Sequence, residues 1–261
     1  MWTFRLSLNP SLNQMRKLHY QAYARLRRQY AREIWAQLPH KEDPPTPLPR
    51  AALEFRRHSS GVLDWDNALA GVKPIIDCLL PATQRHPDGL GLLQDDSPAV
   101  LVYPPRLVQL PAPRGKGWLE LRISDTPEIF EEFFEAPLVK IWETDQMPPS
   151  LNNLRNCHFQ TYKTIRQGWG NFFGPAEGPA LGKAWLALET WRLQWVDWDN
   201  FFGGLKPLLD CLSRPGARNP DGQGWIGDDH PRILAQPKLS QRLVQHRSEI
   251  RTKFHLYGFQ M

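Results

Sequence analysis

Hydrophobic and polar positions alternate along the first half of the chain in a pattern that predicts short strands separated by helices. The stretch GKGWLELRI has the glycine-flanked alternation typical of the return strand of a hairpin. The predicted elements are a strand at 2–7, a Pro-Ser-Leu-Asn turn at 10–13, an arginine-rich helix at 19–38, strands at 51–57, 99–103 and 118–123, and a helix ending near residue 80.

The second half of the chain repeats this order of elements, with strands predicted at 185–193 and 253–259. Each half therefore reads β-α-β-α-β-β. We expect an α/β (α+β) protein of two similar domains, each a small mixed sheet with helices. The predicted domains are residues 1–124 and 138–261. Residues 125–137 form an acidic connector, whose prolines are typical of the limits of a short helix.

The two halves arose by internal duplication. Residues 64–98 align with 197–231 without a gap and share 18 identities in 35 positions, whereas chance gives about two. The blocks at 9–30 and 148–169 also match, at an offset of 139 rather than 133. The first copy is thus six residues longer between the blocks, and its Pro-rich stretch 40–50 is predicted to be the loop that holds the excess.

Composition narrows the class of protein. No apolar run approaches the length of a membrane span, and no signal peptide opens the chain. Three cysteines make no disulfide framework, and the equivalent Cys78 and Cys211 fit small core residues better than redox residues. We therefore expect a reduced, cytosolic protein. A net charge of +5 permits a polyanionic partner without requiring one.

Six of the 18 residues that both copies retain are aspartates. Asp64 and Asp66 are predicted to lie on extended chain, where residues two apart point the same way, with Trp65 in the core and Asn67 as the cap of the next helix. A short helix and a turn can return Asp96 to the same place. Copy two repeats the set as Asp197, Asp199, Asn200 and Asp229. Each copy is thus predicted to build one acidic cluster.

Clustered carboxylates raise one another's pKa unless a cation lies among them, and oxygen ligands suit a hard cation such as Mg²⁺. Lys73 and its equivalent Lys206 follow about two helical turns later and can face the cluster. Acids with one lysine suit metal-assisted phosphodiester hydrolysis. A single such motif would fit a surface turn and helix cap as well, but its retention in two diverged copies favours a site. Asp77 and Asp210, four residues after each lysine, either orient it or simply stabilise the helix.

At these residues the chain resembles the RusA family of Holliday-junction resolvases, which is common in phages and prophages. The first copy carries the family pattern as Asn9-Pro10-Ser11-Leu12-Asn13, Asp64-Trp65-Asp66-Asn67, Lys73, Asp77-Cys78-Leu79 and Asp95-Asp96. The second carries it as Pro148-Pro149-Ser150-Leu151-Asn152, Asp197-Trp198-Asp199-Asn200, Lys206, Asp210-Cys211-Leu212 and Asp228-Asp229.

The resemblance implies an Mg²⁺-dependent endonuclease that nicks two opposed strands of a four-way DNA junction in the cytoplasm of a bacterial cell. It assigns catalysis to Asp64, Asp66, Lys73 and Asp96, and to Asp197, Asp199, Lys206 and Asp229, with the acids as metal ligands. Because family members are homodimers of a small subunit, one chain here would act as the dimer. The asparagine-to-lysine spacing of six is three longer than in the family, which is almost one helical turn.

Basic residues near the acidic motifs are candidate contacts to DNA, because phosphate contacts supply most nucleic-acid affinity. The candidates are Arg16, Lys17, His19, Arg155 and His158, with Asn67 and Asn200 beside the acids. A solvated helix face is the alternative for the basic residues. The acidic connector is either a spacer or a mask for a DNA-binding groove. Two rival functions also stay open: a nuclease for flaps or other branched DNA, and a junction-binding module that does not cut.

Overall fold

The computed structural model describes residues 1–15, 17–39, 46–84, 86–126, 136–155, 157–217 and 219–260, with the backbone alone at Arg155. The chain divides into two compact units. Unit 1 comprises Met1–Leu63, Asn67–Glu132 and Asp197–Asp199, and unit 2 comprises Asp64–Asp66, Phe133–Val196 and Asn200–Met261. Most of the predicted connector, and half of the predicted loop at 40–50, lie outside the described residues.

Unit 1 is built on a four-stranded mixed sheet. Its strands are β1 (Trp2–Ser7), β2 (Ala52–Ser59), β3 (Arg106–Pro111) and β4 (Trp118–Ser124), in the order β1-β4-β2-β3. Strands β2 and β3 are parallel, and the other pairs are antiparallel. Its helices are α1 (Leu12–Met15), α2 (Tyr20–Gln37), α4 (Lys73–Leu79) and all but the first two residues of α3 (Trp65–Ala70), and α2 and α4 pack together.

Unit 2 has the same architecture. Its strands are β5 (Leu138–Thr144), β6 (Leu181–Arg192), β7 (Lys238–Leu243) and β8 (Arg251–Gln260), in the order β5-β8-β6-β7 with β6 and β7 parallel. Its helices are α5 (Leu151–Arg155), α6 (Phe159–Phe173), α8 (Lys206–Leu212) and all but the first two residues of α7 (Trp198–Gly204), and α6 packs on α8. The predicted fold class of two similar α/β domains is confirmed.

Buried and partly exposed residues alternate along the strands, as expected of sheets with one face covered by helices. In β6 every second residue from Ala184 to Arg192 is buried, whereas the residues between them are partly exposed. In β2 the buried series continues through Phe55, Arg57 and Ser59. Helix α2 buries only Tyr30, Ala31 and Ile34 of its eighteen residues, as expected of a helix with one apolar face.

Three predicted elements differ from the structure. Residues 99–103 form a turn with a single bridge from Leu101 to Ala51, and the strand in this region is β3 instead. The predicted hairpin is wrong, because β4 pairs with β1 and β2. The acidic motif does not lie on extended chain: α3 begins at Trp65, so Asp66 and Asn67 are already helical and Asn67 caps nothing.

None of the described helices combines the length and the apolar character that crossing a membrane requires.

Candidate metal centres

The Asp-Trp-Asp segment of each sequence copy belongs to the unit built mainly from the other copy. Residues 64–66 lie in unit 2, and residues 197–199 lie in unit 1. The central tryptophan anchors each segment there. The buried indole of Trp65 donates a 2.7 Å hydrogen bond to the carbonyl of Leu234, and that of Trp198 donates one of the same length to Leu101. The prediction that these tryptophans are core residues is confirmed.

A Trp65→Phe substitution tests this anchor. Phenylalanine keeps most of the buried ring but leaves the Leu234 carbonyl without its partner, which costs about 1–3 kcal/mol. We expect a matching loss in the free energy of unfolding measured in urea, and weaker divalent-metal binding by the acids on either side. Trp191→Phe is the matched control, because Trp191 is only partly buried. Equal effects of the two substitutions would contradict an anchoring role for Trp65.

The first acidic cluster lies in unit 1 and is formed by Asp96, Asp197 and Asp199, which we call triad 1. One carboxylate oxygen from each residue lies within 4.8 Å of the others, a spacing that can hold a metal ion. Asp199 is in the first turn of α7 and is 4% exposed, whereas Asp96 follows the turn after α4. Triad 1 therefore takes one acid from copy one and two from copy two.

The second cluster lies in unit 2 and is formed by Asp64, Asp66 and Asp229, which we call triad 2. Its carboxylate oxygens also lie within 4.8 Å of one another. The expectation that Asp96 returns to Asp64 and Asp66 is wrong, since Asp229 of the other copy takes that place. The two triads thus have mirrored origins, and neither copy supplies a complete set of ligands by itself.

Each triad has one lysine beside it, but the acids differ from those predicted: Lys73 lies beside Asp199 of the second copy rather than beside Asp64 and Asp66. The Nζ atom of Lys73 lies 3.2 Å from Asp199, 3.6 Å from Asp96 and 3.2 Å from Asp77. The Nζ atom of Lys206 lies 2.9 Å from both Asp229 and Asp210. Asp77 and Asp210 therefore contact the lysine of their own helix at the i,i+4 spacing, a contact that both the orienting role and simple helix stabilisation predict.

Each lysine lies beside its triad although the helix before it is interrupted, because the chain approaches another backbone segment closely at the interruption. Gly71 lies between α3 and α4, and a Cβ atom at this position would come 2.5 Å from the carbonyl oxygen of Pro10. The equivalent Gly204 lies closer still to the Pro149 carbonyl. Only glycine admits the Pro-Ser-Leu-Asn turn so near. A new helix then starts at Lys73, so the lysine faces the triad from a first turn rather than from a continuous helix.

Burial and mutual repulsion raise the pKa of the triad acids. Desolvation, with repulsion from Asp229 and Asp64, raises the pKa of Asp66 to about 6 even though Lys206 opposes it. Desolvation raises the pKa of Asp96 to about 7, against Lys73. Burial is also the main cause that raises the pKa of Asp64 and of Asp199. The acids are thus costly to ionise without a cation.

The donor set fits a hard divalent cation. The Asp66 Oδ1 atom is buried without a hydrogen-bond partner in the described part of the chain, and a cation would satisfy this oxygen by coordinating it. All ligand candidates are carboxylate oxygens, which suit Mg²⁺ or Ca²⁺ and not a soft metal. The lysines stay charged: burial by itself lowers the pKa of Lys73, but Asp199, Asp77 and Asp96 outweigh it and raise that pKa.

A tyrosine lies near the aspartate that pairs with each lysine, and the sequence analysis did not identify it. The hydroxyl of Tyr23 on α2 donates a 3.1 Å hydrogen bond to Asp77, and burial beside Asp77 raises the pKa of this phenol. Tyr162 occupies the equivalent position on α6, where burial near Asp210 raises its pKa to about 12. The two tyrosines are 139 residues apart, which is the offset between the matching blocks 9–30 and 148–169. Their presence in both copies could have identified them from the sequence.

The predicted DNA contacts fall into three groups. Lys17, His19 and His158 are exposed, and each histidine caps its helix by accepting a hydrogen bond from the backbone two residues on. Asn67 and Asn200 are 8% and 7% exposed, so both amides are withdrawn from the surface and are poor candidates. Arg16 and the side chain of Arg155 lie outside the described residues.

The two triads with their lysines are the strongest candidates for chemistry in the described part of the chain, and each combines oxygen ligands for a cation with a fixed ammonium group. Cys78 and Cys211 lie nearby but are fully buried, and desolvation raises the pKa of each thiol to about 12, so both are inert core residues. No protein-family model matches the chain, and no curated protein or solved structure matches it at a significant level.

Proposed function

We propose that the chain is an Mg²⁺-dependent endonuclease that resolves four-way DNA junctions by two paired nicks. The observation that carries this proposal is the pair of equivalent carboxylate triads, each with a lysine at its edge. Two cutting sites on one chain meet the requirement of junction resolution, which needs two opposed strands cut together. The resemblance of the motifs to the RusA family points the same way.

Mg²⁺, when bound by a triad, would neutralise phosphate charge and lower the pKa of a water molecule. The residues of the chain contribute the rest. In triad 2, Asp64, Asp66 and Asp229 would hold the ion; Asp66 and Asp229 are buried and Asp64 is partly exposed. Asp96, Asp197 and Asp199 have the same role in triad 1.

Lys73 and Lys206 would stabilise the negative charge that develops on the phosphate as the bond breaks. Asp77 holds the ammonium group of Lys73, and Tyr23 in turn donates a hydrogen bond to Asp77, so the position of Lys73 is fixed on the side away from the triad. Binding of the cation would release the lysine from part of its contact with the triad, since both compete for the same carboxylates. The lysine could then reach the phosphate without leaving its helix.

The mirrored origin of the triads explains how one chain can replace a homodimer. Each unit needs the Asp-Trp-Asp segment of the other copy to complete its triad. A lone copy would therefore lack two of three ligands, and tandem fusion supplies both segments at a fixed ratio. We infer that the fused chain functions as a monomer with two cutting sites.

A cleavage assay tests the proposal. Strand-labelled four-way junction, flap and duplex DNA are incubated with the protein in Mg²⁺ or in EDTA, and the products are mapped. We expect two symmetric nicks in the junction alone, and none in EDTA. The double variant Asp66→Asn/Asp199→Asn, which alters both triads, should bind the junction without cutting it. Binding by the wild type without any nick in Mg²⁺ would refute the endonuclease, and equal cleavage of flaps would refute the junction preference.

A further inference from the structure

Each unit buries one arginine that no carboxylate neutralises. Arg57 of β2 is 7% exposed and Arg192 of β6 is 8% exposed. Among the described residues, no acidic oxygen lies within 4.0 Å of either guanidinium, and the Nε atom of each has no hydrogen-bond partner. A buried charge without a counter-charge is costly, so an arginine in this state calls for an anion.

The two arginines line equivalent cavities. Arg57 lines a cavity of about 380 Å³ in unit 1, and Arg192 lines one of about 260 Å³ in unit 2. Five lining positions correspond in the two copies: Leu8 with Met147, Ser60 with Leu193, Gly61 with Gln194, Leu63 with Val196, and Gly117 with Ile250. Pro148 and Asn153 of the unit 2 cavity correspond instead to Asn9 and Gln14, which line another cavity that Arg57 also borders. The match identifies one site that is present in both units.

The arginine reaches this site from different positions in the two copies. Arg57 pairs in register with Gln109, and Thr190 pairs with the equivalent Gln241, so Thr190 is the counterpart of Arg57. Arg192 is accordingly the counterpart of Ser59. Residues two apart on a strand share a face, so both arginines lie on the buried face of their sheet. The two copies thus carry their arginine at different positions of the strand, but each cavity has one arginine.

The surroundings of Arg57 leave it available to a ligand. Its Nη1 atom donates to Ser59 Oγ and, at 3.2 Å, to the Gly61 carbonyl, which orients the group without neutralising it. Arg57 also lines a second cavity of about 710 Å³, where Arg25 supplies another cation. In unit 2 the Arg192 guanidinium stacks on Phe201 at 4.6 Å. Burial lowers the pKa of both arginines, that of Arg192 to about 10, and no acid opposes it.

We propose that Arg57 in unit 1 and Arg192 in unit 2 each bind a phosphate group, and that the phosphate is one of the DNA backbone near the cut. The guanidinium fork matches phosphate oxygens in a bidentate manner. The choice of DNA over free phosphate rests on the proposed function, and on the chain path: the lining residues Leu63 and Val196 directly precede Asp64 and Asp197 of the triads.

The first test uses inorganic phosphate with the metal-free full chain. Thermal unfolding is followed in phosphate and in chloride of equal ionic strength, since a ligand of the native state raises the melting temperature. We expect Arg57→Thr and Arg192→Ser each to weaken phosphate binding by about tenfold at their own site. Arg56→Thr is the matched control, because Arg56 faces the other side of β2 and pairs with Glu54 at 2.7 Å.

A rescue variant separates binding from folding. The double substitution Arg57→Thr/Ser59→Arg copies the arrangement of unit 2 into unit 1, and we expect it to recover the phosphate effect that Arg57→Thr loses. Arg57→Thr should also raise the melting temperature in chloride alone, because it removes an unpaired buried charge. A lower melting temperature in chloride, with the phosphate effect intact, would mean that Arg57 only holds the turn at 59–61 and would overturn the proposal.

The second test identifies the source of the phosphate. Junction binding is measured against salt concentration in EDTA, where no cutting occurs. Loss of one phosphate contact should lower the slope of log affinity against log salt by about one in Arg57→Thr. A slope equal to that of the wild type, with inorganic phosphate binding lost, would keep the anion site but overturn its assignment to DNA. Neither readout depends on cleavage, so failure of the proposed endonuclease activity is seen separately.

Discussion

Replacing Asp66 with asparagine is expected to abolish one of the two nicks and to make the metal-free protein more stable at pH 8. The nick is lost because triad 2 loses a ligand, for which we expect a fall of about 100-fold or more in cleavage of that strand. The stability gain follows from burial. Asp66 is 3% exposed and its pKa is raised from 3.8 to about 6, so its ionisation costs the folded state about 3 kcal/mol.

The size of this gain depends on pH. A carboxyl group with a raised folded-state pKa holds its proton more tightly in the native protein, so stability is lost as pH rises through the range between the two values. Asparagine cannot ionise, and its advantage should vanish below pH 4. Urea unfolding at pH 8 and pH 4 measures the difference, with the exposed Asp145→Asn as control. A variant that is less stable than wild type at pH 8 would contradict this account of Asp66.

Magnesium is expected to stabilise the protein strongly at pH 8 and weakly at pH 5.5. In triad 1 the pKa of Asp96 is raised to about 7, and in triad 2 that of Asp66 to about 6, so both acids are ionised at pH 8 and repel their neighbours. A cation relieves this repulsion. At a concentration of about 100 times the Kd, a ligand adds about 2.7 kcal/mol per site. At pH 5.5 protons occupy the acids and compete with the metal.

Thermal unfolding with and without Mg²⁺ at the two pH values tests this expectation. Without metal, the melting temperature should fall between pH 5.5 and pH 8, and Mg²⁺ should restore it. The double variant Asp66→Asn/Asp96→Asn should lose both effects, because one acid of each triad no longer ionises. An Mg²⁺ effect of the same size at both pH values, or one that survives in the double variant, would count against the triads as the metal sites.

Much of the fold followed from local patterns in the sequence. Alternation placed β1 and β4 to within a residue, and the amphipathic run of α2 placed its ends. The strand β3 was not predicted, because its sequence, RLVQLP, is short and ends in proline. Among the described strands it pairs only with β2, in parallel. The helix break before Lys73 was marked by Gly71 and Pro74, but the reason for it is the approach of Pro10, a contact distant in sequence.

The members of the triads could be predicted from the sequence, but their grouping could not. Both copies carry the complete set of acids and the lysine, so pairing within a copy and pairing across copies fit the sequence equally well. Trp65 and Trp198 decide the matter through hydrogen bonds to Leu234 and Leu101, backbone groups that leave no mark in the sequence. The same limit hid the arginine site, because Arg57 and Arg192 do not align with each other.

Strand-resolved cleavage by two double variants tests most directly whether each cutting site draws its acids from both copies. Asp66→Asn/Asp229→Asn alters triad 2 alone, and it should still make the nick that Asp66→Asn by itself retains. Asp66→Asn/Asp96→Asn alters both triads, and it should make no nick. The reverse result, with the first variant inactive and the second still cutting one strand, would mean that each copy cuts with its own acids and would contradict the shared triads.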